Sequence, residues 1–187
     1  PYAVTPDGRF ILFSSLSPEL VPNDTNDAID LFLLDRESNT TERVNVKSDG
    51  SEGHYTSPCV YQGPFDRIGT ASISDDGRIV VFNACLDLVD AKGGLKVFVR
   101  DRQLGTTTAV AYTDSGGVQH YIAPVASRSR VSPTGRYIAL SSDESPVAGV
   151  PVSGGTCMLW THDRQTGSYT LQSLTPGHVR GRAVSVQ

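Results

Sequence analysis

The sequence is poor in several residue types, and each shortage excludes a class of protein. Aromatic side chains make up 7% of the 187 residues, and no hydrophobic run is long enough to span a membrane. The lysines are limited to Lys47, Lys92 and Lys96, and the net charge is −4. Proteins that bind nucleic acid or membrane surfaces generally carry an excess of positive charge. We therefore expect neither nucleic-acid binding nor membrane insertion.

Cysteine is also scarce. Cys59, Cys85 and Cys157 have neither the spacing of metal ligands nor the even number of a disulfide framework. One disulfide with one thiol left over is compatible with the sequence, but three buried thiols are the expected arrangement.

Enzyme signatures are absent from the sequence. There is no Gly-x-Ser-x-Gly nucleophile turn, no glycine loop of the phosphate-binding type and no His-Glu-x-x-His metal motif. The chain begins at Pro1, without an initiator Met or a signal peptide. We expect a non-catalytic protein, and a processed or excised piece whose targeting signal lies outside the sequence.

The sequence does contain repeated phrases. A Ser or Thr, a turn ending in Gly-Arg and a hydrophobic run occur three times, and each copy precedes a hydrophobic segment ending in Asp-Arg. The unit is about 60 residues long, which indicates a repeat architecture. The first phrase occupies 5–13, 74–82 and 132–140, and the second occupies 31–36, 97–102 and 159–164.

Each unit has the pattern of β-strands. Short β-branched and aromatic runs are bounded by Asp-Gly turns, where glycine adopts positive φ without strain. The Asp-Arg segments mark a second hairpin turn. The first unit therefore predicts a four-stranded antiparallel meander, with its second strand at 9–13, its third at 31–35 and its fourth at 41–46. No segment has the pattern of an amphipathic helix.

A repeated four-stranded meander is the blade of a β-propeller. Residues 5–15, 20–26 and 30–36 resemble the TolB-like propeller repeat, and the resemblance extends over nearly the whole chain. That family includes periplasmic TolB, propellers attached to peptidases, a polysaccharide-lyase branch and surface proteins. The resemblance implies a bacterial protein that is periplasmic, extracellular or on the cell surface.

The repeats divide the chain, residues 1–187, into parts of one propeller segment. Blades are expected at 1–52, 53–116 and 117–176, and residues 177–187 match the first strand of a further blade. Propellers typically close with four to eight blades. We therefore expect a fragment of a longer propeller or, alternatively, a homo-oligomer that completes the ring.

Three histidines follow the fourth strands of successive units. His54, His120 and His178 would lie in loops on one face of the propeller, where imidazoles around an axis can bind a transition metal. Alternatively, they are loop residues inherited with the repeat. The lyase branch uses a metal held by histidine, but this sequence lacks the His-x-His cluster expected there. His162, within a strand, is expected to be structural.

Two pairs of arginines alternate along first strands: Arg128 with Arg130, and Arg180 with Arg182. Alternation places each pair on one side of its strand. First strands line the channel of a propeller, and the guanidinium fork suits carboxylates. With His120, these arginines form the expected site for an anionic glycan or an acidic peptide end. Pairing with aspartates between blades is the alternative.

An acidic loop in the first unit has oxygen ligands at alternating positions. Asp24, Asn26 and Asp30 are residue types that coordinate Ca²⁺. The second unit has Lys96 where Asp30 stands, and there is no glutamate at a twelfth position. A turn with side-chain caps is the preferred interpretation, and calcium is the alternative.

Three functional hypotheses follow. The preferred one is a non-catalytic binding or scaffold module without a cofactor, whose protein or anionic-glycan partner binds the loop face near the axis. The second is a lyase or hydrolase that acts on anionic polysaccharide with a metal held by histidines. The third is a structural building block of a surface assembly.

Overall fold

The computed structural model describes residues 1–56, 68–90, 93–124, 129–147, 150 and 158–172. Within these ranges the chain forms three four-stranded sheets and one two-stranded hairpin. The first sheet contains β1 (Ala3–Val4), β2 (Phe10–Ser15), β3 (Asp30–Asp35) and β4 (Thr40–Arg43). The second contains β5 (Ile68–Ile73), β6 (Ile79–Ala84), β7 (Lys96–Asp101) and β8 (Thr106–Ala109). The hairpin is β9 (Ala111–Thr113) and β10 (Gln119–Tyr121). The third sheet contains β11 (Ser129–Val131), β12 (Tyr137–Ser142), β13 (Met158–Asp163) and β14 (Tyr169–Leu171).

Each four-stranded sheet is an antiparallel meander in which strands pair in chain order. This confirms the predicted all-β fold of four-stranded blades. Within the described residues, helical structure is limited to one 3₁₀ turn, Pro18–Leu20, between β2 and β3. Nowhere in these ranges is there a helix with the length and hydrophobicity that a membrane span requires.

The repeated turn phrase closes the first hairpin of each sheet, with Asp-Gly in the first two sheets and Thr134-Gly135 in the third. The Thr5 hydroxyl accepts a hydrogen bond from the Phe10 N–H at 3.0 Å, and Gly8 has a φ of 72°. This positive φ favours glycine, because a Cβ there is sterically strained. The same arrangement recurs at Ser74 with Gly77 and at Ser132 with Gly135.

The hydrophobic core lies between neighbouring sheets. All six residues of β6 are buried, and its hydrophobic residues alternate between two clusters. Val80 and Phe82 pack toward the first sheet, whereas Ile79 and Val81 pack toward the third. Each side chain of this size contributes about 1.5–3 kcal/mol when fully buried. The second sheet is therefore sandwiched between the other two, as a propeller blade is.

The fourth strand is shorter than predicted. It ends at Arg43 rather than extending through residue 46. The Val44 N–H still bonds the Leu31 carbonyl, but the Leu31 N–H donates to the side-chain oxygen of Asn45 at 2.8 Å. The Asn45 side chain thus replaces the backbone acceptor that a longer strand would supply.

The β9–β10 hairpin was not predicted. It pairs Tyr112 with His120 and spans the blade boundary expected between residues 116 and 117. The strands are three residues each, so the sequence contains no long alternating pattern to reveal them. The further first strand expected at 177–187 lies outside the described residues.

The expectation of three buried thiols was wrong for one cysteine. Cys85 follows β6, is fully buried and is disulfide-bonded. Cys59 and Cys157 lie outside the described residues.

Candidate functional site

The repeated arginines and aspartates of each sheet bond to one another. Arg9, at the start of β2, forms a two-pronged bond with Asp35, at the end of β3 (2.7 and 3.0 Å). The register of the two strands puts these residues side by side. The same pairs are Arg78 with Asp101 (2.8 Å) and Arg136 with Asp163 (2.7 Å). These pairs join the second strand of each sheet to the third.

The hydrogen bond with arginine changes the titration of these carboxyls. Arg136 lowers the pKa of Asp163 to about 2, and the backbone N–H of Gln165 adds to the effect. Arg9 likewise lowers the pKa of Asp35. Both carboxylates therefore stay ionised and bonded throughout the physiological pH range.

The acidic loop of the first unit surrounds an arginine. Arg43 Nη1 contacts Asp24 (3.0 Å), Asp30 (3.1 Å) and Glu52 (3.0 Å), and its side chain is 7% exposed. Asn26 caps the turn, because its side-chain oxygen accepts the Ala28 N–H at 3.0 Å. The loop is thus a capped turn.

The position between these carboxylates, which the calcium hypothesis assigned to a metal, is held by the Arg43 guanidinium. Burial raises the pKa of Asp24, the neighbouring Asp30 raises it further, and Arg43 opposes both effects. Among the described residues, no group of three or more His, Cys, Asp or Glu side chains has a metal-binding arrangement.

A second cluster lies where the chain passes from the second sheet to the third. The rings of Tyr112 and His120 stack with centroids 5.1 Å apart, and His120 Nε2 lies 2.8 Å from an Asp114 carboxylate oxygen. Glu144, in the β12–β13 connection, is close enough to interact electrostatically with both Tyr112 and His120. We refer to Tyr112, Asp114, His120 and Glu144 as the loop cluster.

The tight turn between β9 and β10 builds this cluster. The other Asp114 oxygen accepts the N–H groups of Gly116 and Val118, both at 2.9 Å, and Gly117 has a φ of 79°. The turn therefore directs the Asp114 carboxylate toward His120, its neighbour across the hairpin.

The loop cluster is acidic. The hydrogen bond with His120 is the main cause that lowers the pKa of Asp114, which is therefore ionised at neutral pH. Burial raises the pKa of Glu144, with a further contribution from Asp143, whereas His120 lowers it. Two carboxyl groups, those of Asp114 and Glu144, thus lie beside one imidazole and one phenol ring.

The histidines of the metal hypothesis do not occupy equivalent positions. His54 lies four residues after the turn glycine Gly50, whereas His120 lies three residues after the corresponding Gly117. The buried Gly53 is the counterpart of His120. His54 belongs to an irregular segment, where its backbone N–H donates to the Asp87 carboxylate. His178 lies outside the described residues.

One arginine of the predicted anion site is described. Arg130 lies in β11, is exposed, and donates to the carbonyl oxygens of Ser129 (3.1 Å) and Ala71 (3.4 Å). It thus helps to join the first strands of the second and third sheets. Arg128, Arg180 and Arg182 lie outside the described residues.

Sequence reasoning missed three members of the loop cluster: Tyr112, Asp114 and Glu144. The usable signal was the Asp-Ser-Gly-Gly turn flanked by Tyr112 and His120. Such a turn between alternating residues indicates a hairpin and so a cross-strand pair. Glu144 is distant in sequence from the hairpin, and no local pattern brings it there.

Comparison with known proteins gives the fold. No family model matches the chain, and no curated protein matches its sequence. The AtxE2 isopeptidase (S527A variant with Astexin3-dC4 bound) is similar at a TM-score of 0.51 and 10% identity, over 92% of this chain and 28% of that one. This likeness is one of fold alone.

Two further solved structures resemble the chain more distantly. TolB from Acinetobacter baumannii has a TM-score of 0.34 and 18% identity, over 91% of this chain and 42% of TolB. The β-propeller domain of the Trilobed protease from Pyrococcus furiosus has a TM-score of 0.38 and 11% identity, over 88% of this chain and 55% of that one. The chain spans less than two thirds of each of these three structures. It is an all-β protein built of β-propeller blades.

Proposed function

We propose that the chain is a non-catalytic binding module that recognises a protein partner through the loop cluster. The observation that carries this proposal is the contrast between repeated and unrepeated residues. The repeated arginines and aspartates bond to one another inside their sheets. His120 and Asp114 occur once, and their side chains are 41% and 38% exposed.

The chemistry of the loop cluster favours a basic group on the partner. Asp114 and Glu144 supply carboxylates, and the Tyr112–His120 stack offers a flat ring face beside them. Lysine and arginine side chains bind both kinds of group, through charged hydrogen bonds and cation–π contact. A uronate glycan would meet like charge at this position, so we favour a protein partner over the anionic glycan.

We also propose that the module works outside the cytoplasm, as part of a larger ring. The disulfide at Cys85 supports an oxidising compartment. On the third sheet, Tyr137 and Leu159 are 40% and 44% exposed. An exposed hydrophobic sheet face supports a neighbouring blade, from the same chain or from another copy.

Calorimetric titration with two probes tests the binding proposal. We expect a short lysine-rich peptide to bind the wild type, and the Asp114→Asn substitution to weaken binding about tenfold, because it removes the exposed carboxylate charge. Asp49→Asn, in the corresponding turn of the first unit, is the matched control and should leave affinity unchanged. An oligogalacturonate should not bind.

Two results would count against the proposal. The first is peptide affinity that is equal in the wild type and in Asp114→Asn. The second is chromatographic evidence that the chain cleaves the oligogalacturonate and loses this activity on His120→Ala, which would favour the enzymatic hypothesis.

A further inference from the structure

The two clefts between neighbouring sheets differ in the residues that surround a repeated arginine, on the face that carries the first-hairpin turns. Each sheet has an arginine directly after its third strand: Arg36, Arg102 and Arg164. Each of these arginines donates from Nη1 to the carbonyl oxygen of the turn glycine in its own sheet. The position of the guanidinium is therefore the same in all three sheets, and only its other neighbours vary.

In the cleft between the first and second sheets, the chain supplies a carboxylate to this arginine. Arg102 bonds Glu42 of the first sheet through Nε and Nη2, both at 2.5 Å. Its guanidinium also lies over the Phe10 ring, 4.9 Å from the centroid. The remaining donors of Arg102 thus bond an acid of the neighbouring sheet, and its guanidinium plane lies over an aromatic ring of the same sheet.

In the cleft between the second and third sheets, both of these neighbours are replaced. Thr108 has the strand position of Glu42, because it pairs with the fourth residue of β7 as Glu42 pairs with the fourth residue of β3. Ile79 has the position of Phe10: it meets Gly135 as Phe10 meets Gly77. Among the described residues, no carboxylate bonds Arg164 as Glu42 bonds Arg102. Asp101 interacts with Arg164 electrostatically but is bonded to Arg78.

The remaining donors of Arg164 face a cleft of about 340 Å³. Arg78, Arg136, Thr134 and Gln165 also line this cleft. Two carboxylates line it as well: Asp101 is bonded to Arg78, and Asp76 is bonded to the Ser74 hydroxyl and the Arg78 backbone N–H. Arg78 and Arg136 are held by their own aspartates through Nε and Nη2, which leaves their Nη1 groups without an acid. In the first sheet the corresponding Nη1 of Arg9 bonds Glu37, whose place is taken by Gln165 in the third sheet.

We propose that the cleft between the second and third sheets is a binding site for a small organic acid, anchored by one carboxylate on Arg164. The chain itself indicates the ligand class, since the equivalent arginine takes a carboxylate from Glu42. A second carboxylate of the ligand is matched by the Nη1 donor of Arg136. Burial lowers the pKa of Arg164, the neighbouring Asp101 raises it, and Arg78 lowers it. This site is independent of the loop cluster.

Titration with succinate, followed through the Nε–H resonance of Arg164, tests the proposal. The wild type should bind one succinate in a saturable manner. Arg164→Gln should weaken binding about tenfold or more, because the anchoring fork is lost. Thr108→Glu should have the same effect and raise the melting temperature, because it supplies an internal carboxylate as Glu42 does for Arg102.

Two further variants act as controls. Arg102→Gln removes the equivalent arginine and should leave succinate affinity within about twofold. Glu42→Thr frees Arg102 and should raise the stoichiometry from one succinate to two. The amide spectrum of each variant reports whether it is folded. Succinate affinity that is unchanged in folded Arg164→Gln, or unchanged in Thr108→Glu, would overturn the proposal, as would the lack of saturable binding to the wild type.

Discussion

At the scale of single residues, the turn glycine of the second sheet serves two purposes. Gly77 has a φ of 71°, and a Cβ placed on it would lie 2.3 Å from the Phe10 ring of the first sheet. The residue therefore allows both the tight hairpin and the close approach of neighbouring sheets. Gly105, in the second hairpin of the same sheet, has a φ of 67° but no atom within 4 Å of such a Cβ.

Alanine substitution separates these two purposes. Both Gly77→Ala and Gly105→Ala should cost about 1–2 kcal/mol for placing a Cβ in the left-handed region. Gly77→Ala should lower the melting temperature further, because the new methyl group also pushes on Phe10. Thermal unfolding of the two variants measures their melting temperatures. Equal decreases relative to the wild type would contradict the role of Gly77 in sheet packing.

A half-buried histidine predicts how stability depends on pH. His162 stacks on Tyr169 with ring centroids 4.5 Å apart, and its Nδ1 has no hydrogen-bond partner among the described residues. Burial lowers the pKa of His162, and Arg164 lowers it further. The folded protein therefore resists a proton that the unfolded chain accepts below about pH 6.5.

The free energy of unfolding of the wild type should thus fall between pH 7 and pH 5, and His162→Gln should reduce that loss. The Arg136–Asp163 pair keeps its charge over this interval, since the pKa of Asp163 is about 2. Urea unfolding at both pH values measures the difference. If the free energy of unfolding of His162→Gln depends on pH as that of the wild type does, His162 is not the source of the pH dependence.

The structural roles of the repeated residues were predictable from the sequence, whereas the contacts of the unrepeated residues were not. The Asp-Arg phrases recur at equal spacing from the strands, so their structural role was visible without coordinates. The partner of Arg43 was not visible, because Asp24 and Glu52 reach it from two different loops. Side chains brought together from separate loops leave no spacing pattern.

At the scale of elements, the loop between β2 and β3 depends on the ion network around Arg43. Arg43 and Asp30 have side chains 7% and 2% exposed, and Asn45 donates to the same Asp30 carboxylate. A buried charge that loses its partner is left uncompensated in a region of low polarity. The network also determines where the fourth strand ends.

Replacing Arg43 should therefore be costly. Arg43→Met should lower the free energy of unfolding by about 3–5 kcal/mol, because Asp24, Asp30 and Glu52 would remain without a counter-charge. Lys47→Met, which breaks one exposed pair with Asp87, is the control and should cost about 1 kcal/mol or less. Denaturant unfolding provides the values. Similar losses in the two variants, or a wild-type melting temperature that rises with added Ca²⁺, would contradict the role given to Arg43.

The elements themselves were largely predictable. Short hydrophobic runs between turn signals gave the second and third strands of the first sheet to within two residues. The end of the fourth strand was not predictable, because it depends on a tertiary bond from Leu31 to Asn45. The β9–β10 hairpin was missed because its strands are short and half-exposed.

At the scale of the whole molecule, the repeat explains how one chain can contain both the loop cluster and the proposed organic-acid cleft. The sheets pack on one another through equivalent hydrophobic positions, and each sheet has the same arginine–aspartate bond between its second and third strands. Single substitutions in one unit then change a loop or a cleft without disturbing the stack. The loop cluster contains His120 where the first unit has Gly53. The cleft between the second and third sheets leaves Arg164 without the acid that Glu42 supplies to Arg102, because Thr108 stands in the position of Glu42.

We propose above all that the loop cluster binds a basic partner and does not catalyse a reaction. Nuclear magnetic resonance titration of the whole chain with a lysine-rich peptide tests it most directly. We expect saturable shifts in the amide resonances of Tyr112, Asp114 and His120, with the peptide recovered intact. Shifts confined to other parts of the chain, or a cleaved peptide, would contradict it.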